Sequence, residues 1–409
     1  MKETKVIIVG GGAAGFFAAI TCARYNYNAE IIILEKSNKL LSKVKISGGG
    51  RCNVTHACFD NVQLCKYYPR GGKELKTCFA YFSTNQTVDW FESRGVRLKT
   101  EPDGRMFPIT DNSQTVVDCL IREARVLGVK IMPNFQVSSI RPSNGKWIVT
   151  IKSGEYMECD KVLVATGGNY GESAYQWLKD LNIKIVPPVP SLFSFNVPNS
   201  RLSGLQGISV ADASVRIEGT RYKEQGPILI THWGFSGPAI IRLSSWAARD
   251  IFEMNYDFNI HINWLKDMSE EKLRQEINLI KAEHPKKNIA SNPCFKLPQR
   301  LWERLAFISG IEEDTRWCDL PLKACNRFVE ELIRGVYNVK GKNTYKEEFV
   351  TAGGVCLSEI NLLTMESLSH KGLYFAGEVL NIDALTGGFN FQAAWTTGFL
   401  SGKAMGTSE

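Results

Sequence analysis

Wholly apolar runs alternate with glycine over the first forty positions. Val6-Ile7-Ile8-Val9 has no polar member, and neither has Ile31-Ile32-Ile33-Leu34. A run without a polar face predicts a parallel strand buried on both sides. Between these runs Phe16, Ala19, Ile20 and Ala23 recur at helical spacing, which predicts a helix from about Ala13 to Arg24. Helical patterning also covers 79–94, and a further helix follows Asp111 or Asn112 and reaches about Leu127, where Gly128 ends it. Residues 101–108 read as a loop. Alternating runs at 136–141, 147–152 and 156–159, punctuated by Asn144-Gly145 and Ser153-Gly154, predict a three-stranded meander. Lys161-Val-Leu-Val164 is again of the buried type and ends in the small residues Ala165, Thr166, Gly167 and Gly168. Three prolines within Pro187-Pro188-Val189-Pro190 predict a break, since they continue neither a helix nor a central strand. Beyond it the pattern predicts strands at 208–218, 228–232 and 258–264, and helices near 239–249, 269–283 and 299–308. From Glu347 strands at 349–355 and 371–378 precede a small-residue helix over 393–404.

The turn after the first strand, Gly10-Gly11-Gly12-Ala13-Ala14-Gly15, changes the picture from architecture to chemistry. Gly10 permits the tight turn, Gly12 lets backbone approach a diphosphate, and Gly15 lets the helix pack hard on the sheet. The free N–H groups at the helix start, on Ala13 and Ala14, face the same diphosphate. Glu35 closes the second strand twenty positions after Gly15. A carboxylate there accepts hydrogen bonds from ribose hydroxyls and repels a 2′-phosphate. Strand, glycines, helix, strand and acid in register form a dinucleotide-binding unit, of the FAD or NAD type rather than NADP.

Because both ends of the chain supply glycine-rich α/β elements, the predicted fold class is α/β: a Rossmann-like domain interrupted by an insert. The discontinuous nucleotide-binding domain is placed at 1–189 and 347–409 and the insert at 190–346. Within the insert, 190–265 and 311–346 are expected to be β-barrel-like and 266–310 helical.

At 409 residues, 44% hydrophobic and 22% charged, the chain has the composition of a soluble globular enzyme with two or three domains. No run of about eighteen apolar residues predicts a membrane span, and no secretory signal precedes the first strand. Eleven cysteines without CxxC pairs fit reduced thiols, so a cytoplasmic location is expected. The net charge of +7 is concentrated locally: nine basic residues lie between Lys36 and Lys76 against the two acids Asp60 and Glu74. Lys36, Lys43 and Arg51 are assigned to the cofactor side and the others to solvent. No oligomeric state is readable.

Several separated loops that expose backbone suit a long, bent flavin nucleotide. Gly377-Glu378 and Asp383 offer acceptors for a ribityl chain, and Gly387 and Gly388 with Asn390 and Phe391 offer backbone donors for the polar edge of the ring. Lys43 and Ser47-Gly48-Gly49-Gly50-Arg51-Cys52-Asn53 form a second glycine-rich loop with a cation at each end. Val137, Ala165, Thr166 and Gly167 complete the expected cofactor-binding set. The cofactor is therefore expected to be FAD.

With those segments, Gly104-Arg-Met-Phe-Pro108, Thr231-His-Trp-Gly-Phe-Ser-Gly-Pro238, Thr351-Ala-Gly-Gly-Val355 and Thr386-Gly-Gly-Phe-Asn-Phe-Gln392 make the chain resemble the BaiN-like, or aminoacetone oxidase-like, FAD-dependent flavoproteins over nearly its whole length. The resemblance implies a glutathione-reductase-type FAD domain with a barrel-like and helical insert, and an NAD(P)H/FAD oxidoreductase active in enone reduction or amine oxidation. Asn381, Phe389 and Phe391 depart from the Asp, Tyr and Leu common in that family.

Two residues are candidates for catalysis. Cys52 lies in the flavin-facing loop but lacks a resolving cysteine, which argues against a disulfide reductase. His232, beside Trp233 and Gly234, is placed to protonate a carbanion or enolate, or else is structural. Cys52, His56, Cys58 and Cys65 match no zinc spacing, so no metal is expected. The leading expectation is hydride transfer between flavin N5 and a small organic substrate, enone-like or amine, with NAD(P)H as a transient donor. An RNA-modifying flavoprotein and a non-enzymatic redox sensor are the alternatives, and the absence of an RNA module argues against a nucleic-acid partner.

Overall fold

The computed structural model describes residues 4–343 and 350–407. The chain divides into two compact units, Met1–Ser191 with Lys346–Glu409, and Leu192–Tyr345. The return point expected at residue 347, and Phe349 of the strand expected there, lie outside the described residues.

The first unit is organised by five parallel strands: β1 (Lys5–Val9), followed by helix α1 (Ala13–Tyr25), then β2 (Glu30–Glu35), β3 (Lys130–Pro133), β4 (Lys161–Val164) and β5 (Leu373–Phe375). Their order is β5-β4-β1-β2-β3. The apolar runs read from the sequence follow from burial on two faces. Val6, Ile8, Ile31 and Ile33 pack with Phe16, Phe17 and Ala18 of α1, while Ile7, Val9, Ile32 and Leu34 pack with Ile140, Trp147 and Val149 of the meander.

The two ends of the chain are joined by α1 and the last helix, α2 (Phe389–Gly406). Gly398, Gly402 and Gly406 recur every fourth residue, so they form one ridge of α2. A Cβ at Gly398 would stand 2.8 Å from the Ala14 carbonyl oxygen, and one at Gly406 2.7 Å from that of Cys22; at Gly402 it would collide with that of Ala18. Glycine on this ridge brings the two helix backbones together and seats β5 beside β4.

Several expectations for this unit need correction. The predicted helix 79–94 is two helices, Gly72–Phe79 and Thr84–Glu92, because Ser83 and Gln86 form a capping box that starts a new helix. The loop 101–108 contains a strand, Arg105–Pro108, in a small antiparallel sheet with Thr55–His56 and Leu98–Thr100. Pro187, Pro188 and Pro190 lie inside a strand, Ile185–Ser191, which pairs on one side only with Val350–Val355. Its register slips between Val186 and Val189, and a bulged one-sided strand tolerates missing N–H donors.

In the second unit, seven antiparallel strands form one sheet around Phe195, Val215, Ile260, Ile262 and Tyr337. Helices Glu270–Glu283 and Gln299–Ile308 occupy the part expected to be helical. The stretch expected to continue the barrel also holds a helix, Leu322–Arg334, whose buried face includes Phe328 and Leu332. No helix among the described residues is long and apolar enough to cross a membrane.

Candidate functional site

The C-terminal ends of β1, β2, β4 and β5 carry the expected cofactor residues of the first unit. Gly10 has φ +119, a backbone conformation that favours glycine, and a side chain there would collide with the Ala165 carbonyl at the end of β4. Gly15 packs against the Gly10 carbonyl, whereas a Cβ at Gly12 would meet nothing within 4 Å. Gly12 caps α1 without any side-chain hydrogen bond, so the first-turn N–H groups open onto free space. Glu35 accepts from the Gly11 N–H at 2.9 Å and from the Ser37 N–H and hydroxyl, each at 3.0 Å. Ser37, which the spacing argument missed, fixes this carboxylate. Val137 opens the first strand of the meander, and Lys36 is exposed.

The second glycine loop has a distinctive backbone. Gly48, Gly49 and Gly50 have φ of 58°, 68° and 82°, and Gly49 and Gly50 border open space. At one end of the loop Lys43 pairs with Glu378 at 2.6 Å, and the other Glu378 oxygen accepts from the Thr351 N–H at 2.9 Å. Gly168 completes this cluster, for a Cβ there would lie 2.5 Å from Thr351 Oγ1 and 2.7 Å from Glu378. Among the described residues, Thr351 Oγ1 is buried without a hydrogen-bond partner, as is Asn381 Oδ1. At the other end Arg51 pairs with Glu101 at 2.6 Å and lies 4.0 Å over the Phe107 ring. Open backbone turns, two orphaned buried polar atoms and a carboxylate form a donor and acceptor set that fits a flavin nucleotide.

At the start of α2, Gly387 and Gly388 run beside Asn53–His56. With its amide oriented to match its neighbours, Asn53 donates to the Thr55 carbonyl and accepts from the Gly388 N–H, both at 2.9 Å. The expected Gly388 donor is therefore already used, which leaves the N–H groups of Gly387, Asn390 and Phe391 from the expected set. The Asn390 side chain closes the loop by bonding both the N–H and the carbonyl of Ala384.

Asp383, expected to receive a ribityl hydroxyl, is instead fully buried. Both its oxygens accept from Arg70, and one also accepts from Ser191 at 3.0 Å. Burial pushes this carboxyl up, and the Arg70 fork opposes the shift. Of the two expected acceptors, Glu378 is the one left partly exposed, held by the Thr351 N–H and Lys43.

The catalytic candidates fare differently. Cys52 is fully buried, with φ +63, and burial pushes its thiol up to about 12. A thiol held protonated in this way is a packing group rather than a redox or nucleophilic one. His232 is exposed in a turn of the second unit that is closed by bonds between Thr231 and Gly234. His56, considered above only as a metal ligand, stands beside the Gly387 carbonyl at 3.1 Å. Burial lowers its pKa below the usual imidazole value, Asp103 opposes that, and Arg105 adds to it. All eleven cysteines are free, and among the described residues no three His, Cys, Asp or Glu side chains are arranged to hold a metal. In the basic segment Lys43, Arg51 and Arg70 are paired with acids, while Lys36, Lys39, Lys45, Lys66, Lys73 and Lys76 are exposed.

This Rossmann-type sheet and its cofactor cradle define an FAD-dependent oxidoreductase. The chain belongs to the HI0933-like family, described as "HI0933-like protein Rossmann domain", which it matches over residues 4–404. It is 27% identical to the 3-dehydro-bile acid delta(4,6)-reductase of Clostridium scindens, covering 98% of each chain. It is 28% identical to the ribosomal RNA dihydrouridine synthase of Escherichia coli, over 97% of this chain and 96% of that one. Among solved structures, the 3-ketosteroid-delta4-(5alpha)-dehydrogenase of Rhodococcus jostii shares the fold, with a TM-score of 0.52 at 11% identity, covering 100% of this chain and 98% of that one.

Proposed function

We propose that this enzyme saturates a carbon–carbon double bond conjugated to a carbonyl in a small organic substrate, with NAD(P)H as the electron donor. The observation that carries the reading is the chemistry common to two full-length relatives: a 3-dehydro delta(4,6) bile acid and a uracil base both present C=C next to C=O. FAD bound here and reduced by NAD(P)H would supply a hydride to the carbon remote from the carbonyl.

The chain's own residues do the rest. The turn Gly10–Gly15 and Glu35 hold the adenosine diphosphate portion. Glu378 and Thr351 orient the ribityl hydroxyls, with Lys43 neutralising the carboxylate. The N-terminus of α2 directs the N–H groups of Asn390 and Phe391, and the positive end of an 18-residue helix, at the edge of the ring where negative charge collects on reduction. Single use of the one dinucleotide fingerprint by FAD makes the nicotinamide a transient visitor.

A second reading, a uridine of ribosomal RNA as the substrate, is supported by the relatives bearing that name and by the exposed lysines between Lys36 and Lys76. Anaerobic rapid mixing tests both. Flavin is expected to bleach with NADH or NADPH and to regain its colour on addition of 4-androstene-3,17-dione or a uridine-containing ribosomal RNA transcript. Recovery with RNA alone favours the second reading. Bleaching by amines, with no recovery on either conjugated probe, contradicts conjugate reduction.

A further inference from the structure

We propose that His56 is the proton donor of the reaction, delivering through Nε2 the proton that completes saturation of the double bond; this inference rests on the conjugate-reduction reading. Three contacts hold the imidazole beside the turn that opens α2. Its Nδ1 lies 3.1 Å from the Gly387 carbonyl, which makes Nδ1 the N–H donor. Its ring stacks on Phe389 at 4.5 Å, and Tyr67 stacks on the same Phe389 at 4.2 Å. The third contact is Gly104, with φ +87, whose missing side chain would otherwise sit against Nε2.

Gly104 closes the turn that begins at Glu101 with φ +87, and its lack of a side chain lets that turn pack against the Nε2 side of the ring. Here one nitrogen is committed, the ring plane is fixed, and Nε2 makes no hydrogen bond among the described residues. The ring is half-buried next to Gly387, Gly388 and Asn53, the segment assigned to the flavin edge. The titratable or charged groups that face it are Asp103, Arg105 and Tyr67.

The β-carbon would accept a hydride, with its electron pair, from the anionic dihydroflavin, and the C=C π bond would break toward the carbonyl. The α-carbon then takes the proton from Nε2–H of the imidazolium, leaving neutral His56, an oxidised flavin and a saturated product. Nε2 recovers its proton from water.

The test uses the FAD-loaded enzyme. His56→Asn keeps a donor for the Gly387 carbonyl but removes Nε2. It is expected to retain FAD and to bleach normally with the nicotinamide donor, while reoxidation by the conjugated probe slows by about 10²- to 10⁴-fold. Gly104→Ala, whose Cβ would collide with Nε2 so that the ring or the turn must shift, keeps the imidazole in the protein and is expected to slow the same step. In wild type the reoxidation rate rises as pH falls through the depressed His56 pKa, because the protonated form is the donor; in His56→Asn this rise is lost. Two readouts are independent of turnover. Nitrogen NMR of the resting enzyme should show the Nδ1–H tautomer, and a phenolic enolate mimic should bind the oxidised enzyme roughly tenfold more weakly in His56→Asn. Wild-type reoxidation by the probe, with both variants equally fast and the pH profile unchanged, overturns the role of His56 and leaves conjugate reduction standing. Failure of wild type itself to be reoxidised by any conjugated probe overturns both.

Discussion

Gly402→Val is expected to yield a protein that melts early and is recovered without flavin. A Cβ at this position collides with the Ala18 carbonyl and comes within 2.7 Å of Thr21 Cβ, and the colliding atom is helix backbone, which cannot rotate aside. Overpacking a close-packed site costs about 1–3 kcal/mol, and valine stands at the upper end because α1 as a whole must move. Since α1 carries the diphosphate-facing N-terminus and α2 the ring-facing one, separating them spoils both halves of one site. Thermal melting and the flavin-to-protein absorbance ratio measure the outcome, which should be a lower midpoint and a low ratio. Gly49→Ala provides a comparison, for its Cβ would meet nothing within 4 Å. There the only cost is left-handed backbone strain of about 1 kcal/mol.

The second large effect is expected at Asp383. Replacing it with alanine leaves the Arg70 guanidinium, whose side chain is 12% exposed, without the carboxylate that holds it. Removing one partner of a buried pair costs about 3–5 kcal/mol because the other charge stays buried and uncompensated. Removing both is milder, so the double variant Arg70→Ala with Asp383→Ala should be more stable than Asp383→Ala alone. The comparison is made by denaturant unfolding of the flavin-loaded proteins. A double variant destabilised by the sum of the losses of Asp383→Ala and Arg70→Ala would show that the pair contributes no coupling. Asp383 lies in the loop that ends in Gly387-Gly388, and Ser191, its other partner, ends the first segment of the same unit. Loss of the network should therefore also weaken flavin retention.

What could be read from the sequence depended on how far apart the interacting residues lie along the chain. The strand, turn and helix from Lys5 to Glu35 are visible because burial on two faces and the glycine spacing are local signals, and the strand Glu30–Glu35 ends at the expected acid. The same locality placed the meander and the helix Gln299–Ile308. The polar partners of the site carried no such signal. Arg70 and Asp383 are 313 residues apart, and Lys43 and Glu378 are 335 apart. Nothing near Asp383 distinguishes a carboxylate that holds an arginine from one that waits for a hydroxyl. His56 was obscured for a similar reason, because its meaning depends on Gly104 and Gly387, which only the folded chain brings to it. The break within 79–94 was legible in principle, since Ser83-x-x-Gln86 is a helix-start signature inside an otherwise continuous pattern. The proline run marks the division between the units, which falls after Ser191, but it hides the strand Ile185–Ser191, because a rule about central strands does not apply to a strand with a single neighbour.

The most direct test of the whole account is a crystal structure of the flavin-loaded enzyme. The account predicts the adenosine beside Glu35 and the turn Gly10–Gly15, and the isoalloxazine at the N-terminus of α2, so that one cofactor touches both ends of the chain. Adenosine bound away from β1 and β2, or a ring remote from Gly387 and Asn390, would contradict it.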